Sequence, residues 1–267
     1  MKAALTKTAS VFRLLKEAIS GTEQDYTQLT LNRAIFLLAI PMIVEMGMES
    51  IFAVVDIYFV SMLNDSNAVA AVGYTESVLS ILYSLAMGLG MGATAIVARR
   101  VGEHHYRGAS EAAVQAIYLA LGVAFTISIT GIFYYQEILR IMGASKAVIT
   151  SSSGYAFWMF AGNYTITLLF LNNAIFRGAG NAAIAMKALL LANVLNMILD
   201  PIFIFGWGPI PAMGVEGAAI ATNLGRAIGV LFQLYFLFGN RSIIKINWKN
   251  LALKAGIIMN VIKVSGG

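Results

Sequence analysis

Residues 41–60 read PMIVEMGMESIFAVVDIYFV, and this stretch decides the fold class. An α-helix needs about 20 predominantly apolar residues to cross the hydrocarbon core of a bilayer, and this stretch has that length. It nevertheless contains three acidic residues, Glu45, Glu49 and Asp56. A charge at the bilayer centre costs roughly 2.5–3.5 kcal/mol on insertion scales, so such acids usually face a cavity or a partner. The stretch therefore predicts a transmembrane helix with a functional polar face.

The same apolar pattern recurs along the chain. The stretches long enough to span are residues 34–61, 68–98, 112–135, 152–176, 183–206 and 215–238, and residues 255–267 begin a further one. A membrane β-barrel would instead show alternating segments of about ten residues. We therefore expect an all-α membrane protein, with a six-helix transmembrane bundle and the start of a seventh helix.

Composition supports a membrane protein and excludes several classes. Of the 267 residues, 59% are hydrophobic and 12% are charged, whereas soluble domains carry about 25% charged residues. The absence of cysteine removes disulfide scaffolds, zinc–thiolate sites and cysteine nucleophiles. The formal net charge of +5 comes from basic residues scattered between apolar runs, which suits loops at a membrane surface better than nucleic acid binding. We expect no nucleic acid partner, no organic cofactor and no structural metal, and we do not expect an enzyme.

Loop charges predict the orientation in the membrane. Cytoplasmic loops carry an excess of Lys and Arg. Fourteen of the eighteen basic residues fall on one predicted side: Lys2, Lys7, Arg13, Lys16, Arg33, Arg99, Arg100, Arg107, Arg177, Lys187, Arg241, Lys245, Lys249 and Lys254. The opposite loops carry Arg140 and Lys146. We therefore expect a multi-pass protein of the plasma (inner) membrane with a cytoplasmic N-terminus.

Two basic segments flank the predicted bundle. Residues 3–19 place Val11, Leu14, Leu15 and Ala18 on one helical stripe, and residues 242–254 show a similar pattern with Trp248 as an anchor. Amphipathic basic helices lie on anionic leaflets, although a solvated linker helix would suit the first segment equally well. The predicted organisation is a cytoplasmic amphipathic leader (1–33), a six-helix lobe (34–240), an interfacial amphipathic linker (241–254) and an incomplete seventh helix (255–267).

The acids of the first span share one helical face. Glu45, Glu49 and Asp56 are four and seven residues apart, which at about 100° per residue places them within roughly 40° of one another. Pro41 precedes them and removes one backbone donor, which allows a bend. Glu45 lies near the cytoplasmic end, where it faces either water or a cavity. Asp56 is the strongest candidate for a buried functional acid.

The fifth span carries a second polar face. Residues 193–208 read NVLNMILDPIFIFGWG, in which Asn193, Asn196 and Asp200 follow the spacing i, i+3, i+7. Pro201 leaves the carbonyl of Met197 without its helical donor, which adds an acceptor near the carboxylate. A carboxylate beside amides and a free carbonyl is suited to a proton or a small hard cation such as Na⁺.

Other polar residues lie in the remaining spans. Thr222 and Arg226 are i, i+4 neighbours in the sixth span; Thr222 is a possible donor to an acid of the fifth span, and Arg226 either neutralises an acid or extends toward the cytoplasm. Asn163 is a candidate to line a cavity. Glu76 is expected at the outer interface. Tyr155 and Trp158 either line a cavity for aromatic cations, together with Asn163, or belong to an interfacial aromatic belt, and the belt is favoured for these two residues.

Inward-facing acids on two helices, with few cationic partners, are typical of a proton-coupled carrier. Two ionised acids in a low-dielectric site are poorly solvated and repel each other, so at least one is expected to exchange a proton at working pH. Its protonation would change which packing of the helices is stable.

The sequence resembles a known family, the multidrug and toxic compound extrusion (MATE) transporters. The resemblance rests on residues 41–60, on MGLGMGATAIVARRVGE (87–103), on FRGAGNAAIAM (176–186), and on LNMILDPIFIFGWG (195–208) followed by GVEGAAIAT (214–222). It implies a twelve-helix fold of two six-helix lobes that exports cationic and amphipathic drugs in exchange for H⁺ or Na⁺. It also implies coupling roles for Asp56, Asn196, Asp200 and Thr222. Glu49 departs from the family, where that position is often an amide.

The resemblance also leaves alternatives open. The family runs to about 450 residues, so the chain is expected to be an N-terminal lobe whose missing C-terminal lobe lies in the same or a second chain, or to form a homodimer. A flippase for lipid-linked or polysaccharide precursors is the alternative function, although the predicted cavity is acidic. An intramembrane aspartyl protease would use two acids that share a proton. Asp200, however, lies in the sequence LDP instead of a Gly-x-Gly-Asp context, and Asp56 lies in VDI, so a protease is disfavoured.

Overall fold

The computed structural model describes residues 14–21, 28–239, 241–247 and 251–265. This part of the chain is all-helical, apart from turns and one isolated bridge between Trp207 and Ile210. Residues 14–20 are helical and precede the main helices. These are α1 (Leu31–Ser61), α2 (Ser66–Gly102), α3 (Tyr106–Ile141), α4 (Lys146–Ala161), α5 (Asn163–Gly178), α6 (Ala182–Phe205), α7 (Val215–Phe238) and α8 (Ala255–Ser265).

Most of the predicted spans are single helices. Within the described residues, α1, α2, α3, α6 and α7 are each long and apolar enough to cross a membrane. The predicted fourth span over 152–176 corresponds to two helices, α4 and α5, of 16 residues each, which meet at Gly162. The start of a further helix at 255 is confirmed by α8.

The break between α4 and α5 is stabilised by a side chain of α7. Asn223 donates from its Nδ2 to the carbonyl of Trp158 at 2.7 Å, and its Oδ1 accepts from the Thr165 hydroxyl at 3.4 Å. Thr165 also donates from its hydroxyl to the Gly162 carbonyl at 2.8 Å, which begins the new helix. A Cβ at position 162 would collide with the Asn223 amide. The break between the two helices therefore depends on Gly162 and on Asn223, which lies about 60 positions later in the chain.

The helices α6 and α7 form the most extensive pair. Three glycines of α7 face the backbone of α6: Gly217 lies against Phe203, Gly225 against the Ala192 carbonyl, and Gly229 against the Ala188 carbonyl. Small residues let helices approach closely in lipid. This close approach places the polar side chains of the two helices within hydrogen-bonding distance.

One end of the bundle carries most of the basic residues, and we call it the basic end. It comprises the starts of α1, α3 and α6 and the ends of α2, α5 and α7. Residues 14–21 dock there: Arg33 pairs with Glu17 at 2.7 Å, Lys187 donates to the Ser20 carbonyl at 2.9 Å, and Asn181 donates to the Gly21 carbonyl at 3.4 Å. Helical residues 14–20 agree with the predicted leader helix, whereas Val11 lies outside the described residues.

The linker differs from its prediction. In the described parts of 242–254 the backbone is not helical, so the predicted amphipathic helix is wrong there. Ser242, Ile244 and Ile246 are buried whereas Lys245 and Asn247 are exposed, an alternation typical of extended backbone. Trp248 lies outside the described residues.

The linker is held by the start of α3. Gln115 donates to the Ala252 carbonyl and accepts from the Lys254 amide, both at 2.9 Å. Tyr118 donates to the Leu251 carbonyl at 3.0 Å, and Lys254 pairs with Glu111 at 2.6 Å. The buried isoleucines therefore face the bundle instead of a lipid surface, and α8 then packs against α2 and α3.

The α4–α5 break gives a stability prediction. Gly162→Ala should lower the free energy of unfolding by roughly 1–3 kcal/mol, because Asn223 must move and Trp158 loses a hydrogen bond. Gly122→Ala in α3 is the matched control, since its Cβ would meet nothing within 4 Å. It should stay within about 1 kcal/mol of the parent. Denaturant unfolding in detergent measures both variants, and equal stabilities would contradict a packed break.

Candidate functional site

The site begins with the parallel packing of α1 on α6. Both helices run away from the basic end, and α1 contacts α6 far more than it contacts α2 or α7. Asn193 of α6 donates to Glu49 Oε2 of α1 at 3.4 Å. Asp56 and Asp200 each lie seven residues further along, which is two turns on both helices. The packing therefore brings Asp56 and Asp200 to the same depth, and their charges interact.

Asp200 belongs to a hydrogen-bonded group between α6 and α7. Asn196 donates from its Nδ2 to Asp200 Oδ1 at 2.9 Å and to Thr222 Oγ1 at 3.0 Å. All three side chains are buried, with Asp200 fully inaccessible. The predicted group of Asn196, Asp200 and Thr222 is thus assembled as one unit, although Thr222 bonds Asn196 and not the carboxylate.

Asp56 lies on α1, which packs on α6; it is itself buried and interacts electrostatically with Asp200. Three buried oxygen atoms here have no hydrogen-bond donor among the described residues: Asp56 Oδ1, Asp200 Oδ2 and Asn196 Oδ1. Buried oxygens without partners are costly, and this cost is relieved when a proton or a cation binds. Two carboxylates and an amide oxygen form a suitable ligand set for either.

Arg226 supplies a positive charge beside these acids. It is buried, and its guanidinium lies over the rings of Phe52 at 5.5 Å and Tyr83 at 5.9 Å from the ring centroids. Its charge interacts with Glu49 and Glu76. It forms no ion pair within 4 Å in the part of the chain that the structure describes. Of the two predicted roles, the structure favours an internal counter-charge over extension toward the cytoplasm.

Sequence reasoning missed the pairing of Glu76 with Tyr155. Tyr155 of α4 donates from its hydroxyl to Glu76 Oε1 of α2 at 3.2 Å. Tyr155 is only 1% exposed, so its assignment to an interfacial belt is wrong, whereas Trp158 is 40% exposed. Glu76 lies ten residues inside α2, and its charge interacts with Asp56. The signal available in the sequence was the depth of this acid within the second span.

Glu45 lies in a different environment nearer the basic end. Arg177 of α5 donates from Nη1 to Glu45 Oε2 at 2.9 Å, and both residues line a cavity of about 570 Å³ between α1, α2, α5 and α6. Glu49 lines the same cavity. Arg177 was identified in the sequence only as a loop charge, and its pairing with Glu45 was not anticipated.

The remaining predicted residues take clear positions. Pro41 and Pro201 each lie inside a continuous helix, α1 and α6, so each removes a donor without ending its helix. Asn163 begins α5 beside the break; it is buried with neither amide atom hydrogen bonded to any described residue, and no hydrogen bond joins it to Asp56 or Asp200. Among the described residues, no group of three or more His, Cys, Asp or Glu residues is suited to hold a metal ion.

Comparison with known proteins identifies the family. A family model described as MatE matches residues 41–202, which is more than half of the chain. The chain belongs to the MatE family. The matched region includes Asp56, Asn196 and Asp200, and MatE proteins are transport proteins, so the expectation of a non-enzyme agrees with this assignment.

Two curated relatives and one solved structure illustrate the MatE similarity. The multidrug export protein MepA of Staphylococcus aureus (strain MRSA252) is 26% identical over 87% of this chain and 51% of its own length. The FAD transporter of Shewanella oneidensis MR-1 is 25% identical over 87% of this chain and 54% of its own length. A solved structure described as MATE in the bent conformation has a TM-score of 0.80 at 34% identity, over 88% of this chain and 51% of that chain. The chain therefore spans about half the length of the relatives it matches.

The Glu45–Arg177 pair gives a second stability prediction. Arg177→Gln should lower the free energy of unfolding by roughly 2–4 kcal/mol, because it leaves the buried Glu45 carboxylate without its partner. Glu45→Gln should cost less, since the Arg177 side chain is 25% exposed and reaches water. The double variant should recover most of the loss.

Arg140→Gln is the control for this series. Arg140 and Glu137 form an ion pair at 2.8 Å with side chains 63% and 51% exposed, so its removal should cost under about 1 kcal/mol. The measurement is denaturant unfolding of all four variants in detergent. A loss for Arg177→Gln no larger than that for Arg140→Gln would show that the Glu45 pair is not a buried one.

Proposed function

We propose that the chain is one lobe of a cation-coupled antiporter that exports cationic or amphipathic compounds. The observation that carries this proposal is the alignment of Asp56 with Asp200 in parallel helices, with three buried oxygens that have no donor among the described residues. Asp56 and Asp200 bind the coupling ion, H⁺ or Na⁺, and Asn196 and Thr222 position Asp200. The membership of the chain in the MatE family supports transport as the activity.

The lobe has six membrane spans in this proposal. The helices α4 and α5 together cover the fourth span, which bends at Gly162. A second six-helix lobe completes the transporter, either in the same polypeptide, in a second chain or as a second copy. The half-length match to the relatives supports a missing lobe. Alternating access in such transporters moves one repeat against the other around a fixed site.

Ion binding and export are coupled through α1. This helix packs mainly on α6, so its position depends on one interface that contains both acids. Without a bound ion, the Asp56 and Asp200 charges repel across that interface. A proton or Na⁺ removes the repulsion and is bound by oxygen atoms of both helices. This binding stabilises the closed α1–α6 packing. A ligand that binds one packing better shifts the population toward it.

The charges of the lobe favour a cationic substrate. The S. aureus relative is named for multidrug export, and the S. oneidensis relative for transport of FAD, which is an anion. An anionic substrate, or the pyrophosphate of a lipid-linked precursor, would need a cationic cavity. Here the residues Glu45 and Glu49 face a cavity with Arg177 as its single Arg or Lys among the lining residues.

The coupling role is tested by Asp200→Asn in proteoliposomes that contain the chain together with its second lobe. Efflux of a cationic dye driven by a pH or Na⁺ gradient should fall at least tenfold, because the amide neither binds a proton nor carries a charge. The exposed Glu137→Gln variant is the control and should transport normally. Unchanged gradient-driven efflux by Asp200→Asn would refute the coupling role.

The proposed orientation is tested by cysteine labelling, since the chain has no cysteine of its own. Glu103→Cys lies at the basic end and Ala147→Cys at the opposite end, and both positions are exposed. On intact cells, a membrane-impermeant maleimide should label position 147 at once and position 103 only after permeabilisation. The reverse pattern would place the basic end and the N-terminus outside the cytoplasm.

A further inference from the structure

Arg226 lies in the middle of α7, eleven residues after Val215 and twelve before Phe238. Only 8% of its surface is exposed, so its side chain does not extend to water at either end of the helix. A charged side chain at this depth is costly and normally has an ion partner. Arg226 has no such partner within 4 Å among the described residues. Its charge is therefore buried without being committed to one acid.

Two aromatic rings hold the guanidinium in place. They belong to Phe52 of α1 and Tyr83 of α2, whose ring centroids lie 5.5 and 5.9 Å from the guanidinium carbon. Such contacts stabilise a cation, but a buried bidentate ion pair with a carboxylate is stronger and fixes its orientation. The rings therefore hold Arg226 without preventing its transfer to an acid.

The charges around Arg226 come from several helices. The titratable groups of the described chain that interact with its charge lie on α1, α2 and α4, and they are Glu49, Asp56, Glu76, Tyr83 and Tyr155. Glu49 and Glu76 each accept a hydrogen bond from another helix, at 3.4 and 3.2 Å. Asp56 retains a buried Oδ1 atom without a donor in the same part of the chain. Among the three acids, Asp56 is thus the one that gains most from a cationic partner.

The position of the guanidinium is close to the ion site along the helix axes. Phe52 and Asp56 are i, i+4 neighbours on α1, and Thr222 and Arg226 are i, i+4 neighbours on α7. Thr222 belongs to the hydrogen-bonded group of the fifth span's acid. The guanidinium therefore lies about one turn, roughly 5.4 Å, nearer the basic end than Asp56. A change of rotamer in a long side chain covers a rise of this size.

From these contacts we propose that Arg226 is an internal counter-cation that competes with the coupling ion for Asp56. This role rests on the proposed function and adds to it a residue that controls ion release. With the ion bound, the guanidinium lies over Phe52 and Tyr83. When the ion leaves, the guanidinium moves to Asp56 and forms an ion pair, so the empty lobe does not contain an unpaired buried carboxylate. Because the ion-free state gains this pair, Arg226 weakens ion binding and favours release.

Ion binding by the chain in lipid nanodiscs tests the competition. The carboxyl response to H⁺ and to Na⁺ is followed by infrared difference spectroscopy. Arg226→Gln should lower the half-saturating concentration of the coupling ion about tenfold, because it removes the competing charge. Arg226→Lys keeps a cation and should restore an affinity close to that of the parent. Arg140→Gln removes an exposed Arg as the matched control and should bind the ion as the parent does.

NMR of the arginine side chains tests the movement itself. The ¹⁵N signals of Arg226 are assigned by their loss in Arg226→Lys, and they should shift when the coupling ion is removed. Asp56→Asn should keep the ion-bound signal even in ion-free buffer, because no carboxylate is then present at that position. Glu76→Gln should still show the shift, since Glu76 is not the acceptor in this proposal.

Three results would overturn the proposal. These are an Arg226 signal that is the same with and without the ion, an ion-dependent shift that persists in Asp56→Asn, and an unchanged half-saturating concentration in Arg226→Gln. A purely structural Arg226 would give the first of these results. If Arg226→Gln does not fold, the Arg226 signals of the parent and of Asp56→Asn decide the question.

The same measurements separate this role from the coupling role of the two aspartates. If Asp56 and Asp200 do not bind the ion, the parent has no ion response that depends on them, and both proposals fail. If only the role of Arg226 is wrong, that response remains in the parent and is equally sensitive to the ion in Arg226→Gln.

Discussion

The structure depends on the cost of placing carboxylates inside a membrane. Such a group must be paired, hydrated or neutralised, because an isolated charge in hydrocarbon costs several kcal/mol. Helix α1 carries three acids on its buried side and packs mainly on α6, where Asn193, Asn196 and Asp200 form the matching face. The parallel run of the two helices keeps these faces aligned over two turns. The α6–α7 contact, made close by glycines, adds Thr222 and Arg226.

The acids of the lobe satisfy this constraint in two different ways. Glu45 has a direct ion pair with Arg177, and Glu76 accepts from Tyr155, so both have a fixed protein partner. Asp56, Asp200 and Glu45 each retain a buried oxygen without a donor in the described chain, but Glu45 has a cationic partner and the two aspartates have no ion pair within 4 Å there. A buried carboxylate without a cationic partner is stabilised by binding a proton or a cation. On this ground we propose Asp56 and Asp200 as the coupling pair.

Much of this arrangement could be predicted from sequence because it is local. Apolar runs define the helices, and the spacing of Glu49, Asp56, Asn193 and Asp200 defines the polar faces. The α4–α5 break could not be predicted, since Asn223 and Gly162 meet only in the folded bundle. The prediction of a helix over 242–254 is wrong in its described parts, because Ile244 and Ile246 alternate with exposed residues, a period of two that is typical of extended backbone. Glu76–Tyr155 and Glu45–Arg177 join separate helices, and neither helix alone reveals its partner.

The central claim is that Asp56 and Asp200 together bind the coupling ion. Infrared difference spectroscopy of the chain in lipid, on switching between acidic and alkaline buffer and on adding Na⁺, tests it most directly. If the two aspartates bind the ion, carboxyl bands should respond to these changes, should be altered or lost in both Asp56→Asn and Asp200→Asn, and should persist in Glu45→Gln. Responsive bands that survive in the double variant Asp56→Asn/Asp200→Asn would contradict it and would place ion binding elsewhere in the lobe.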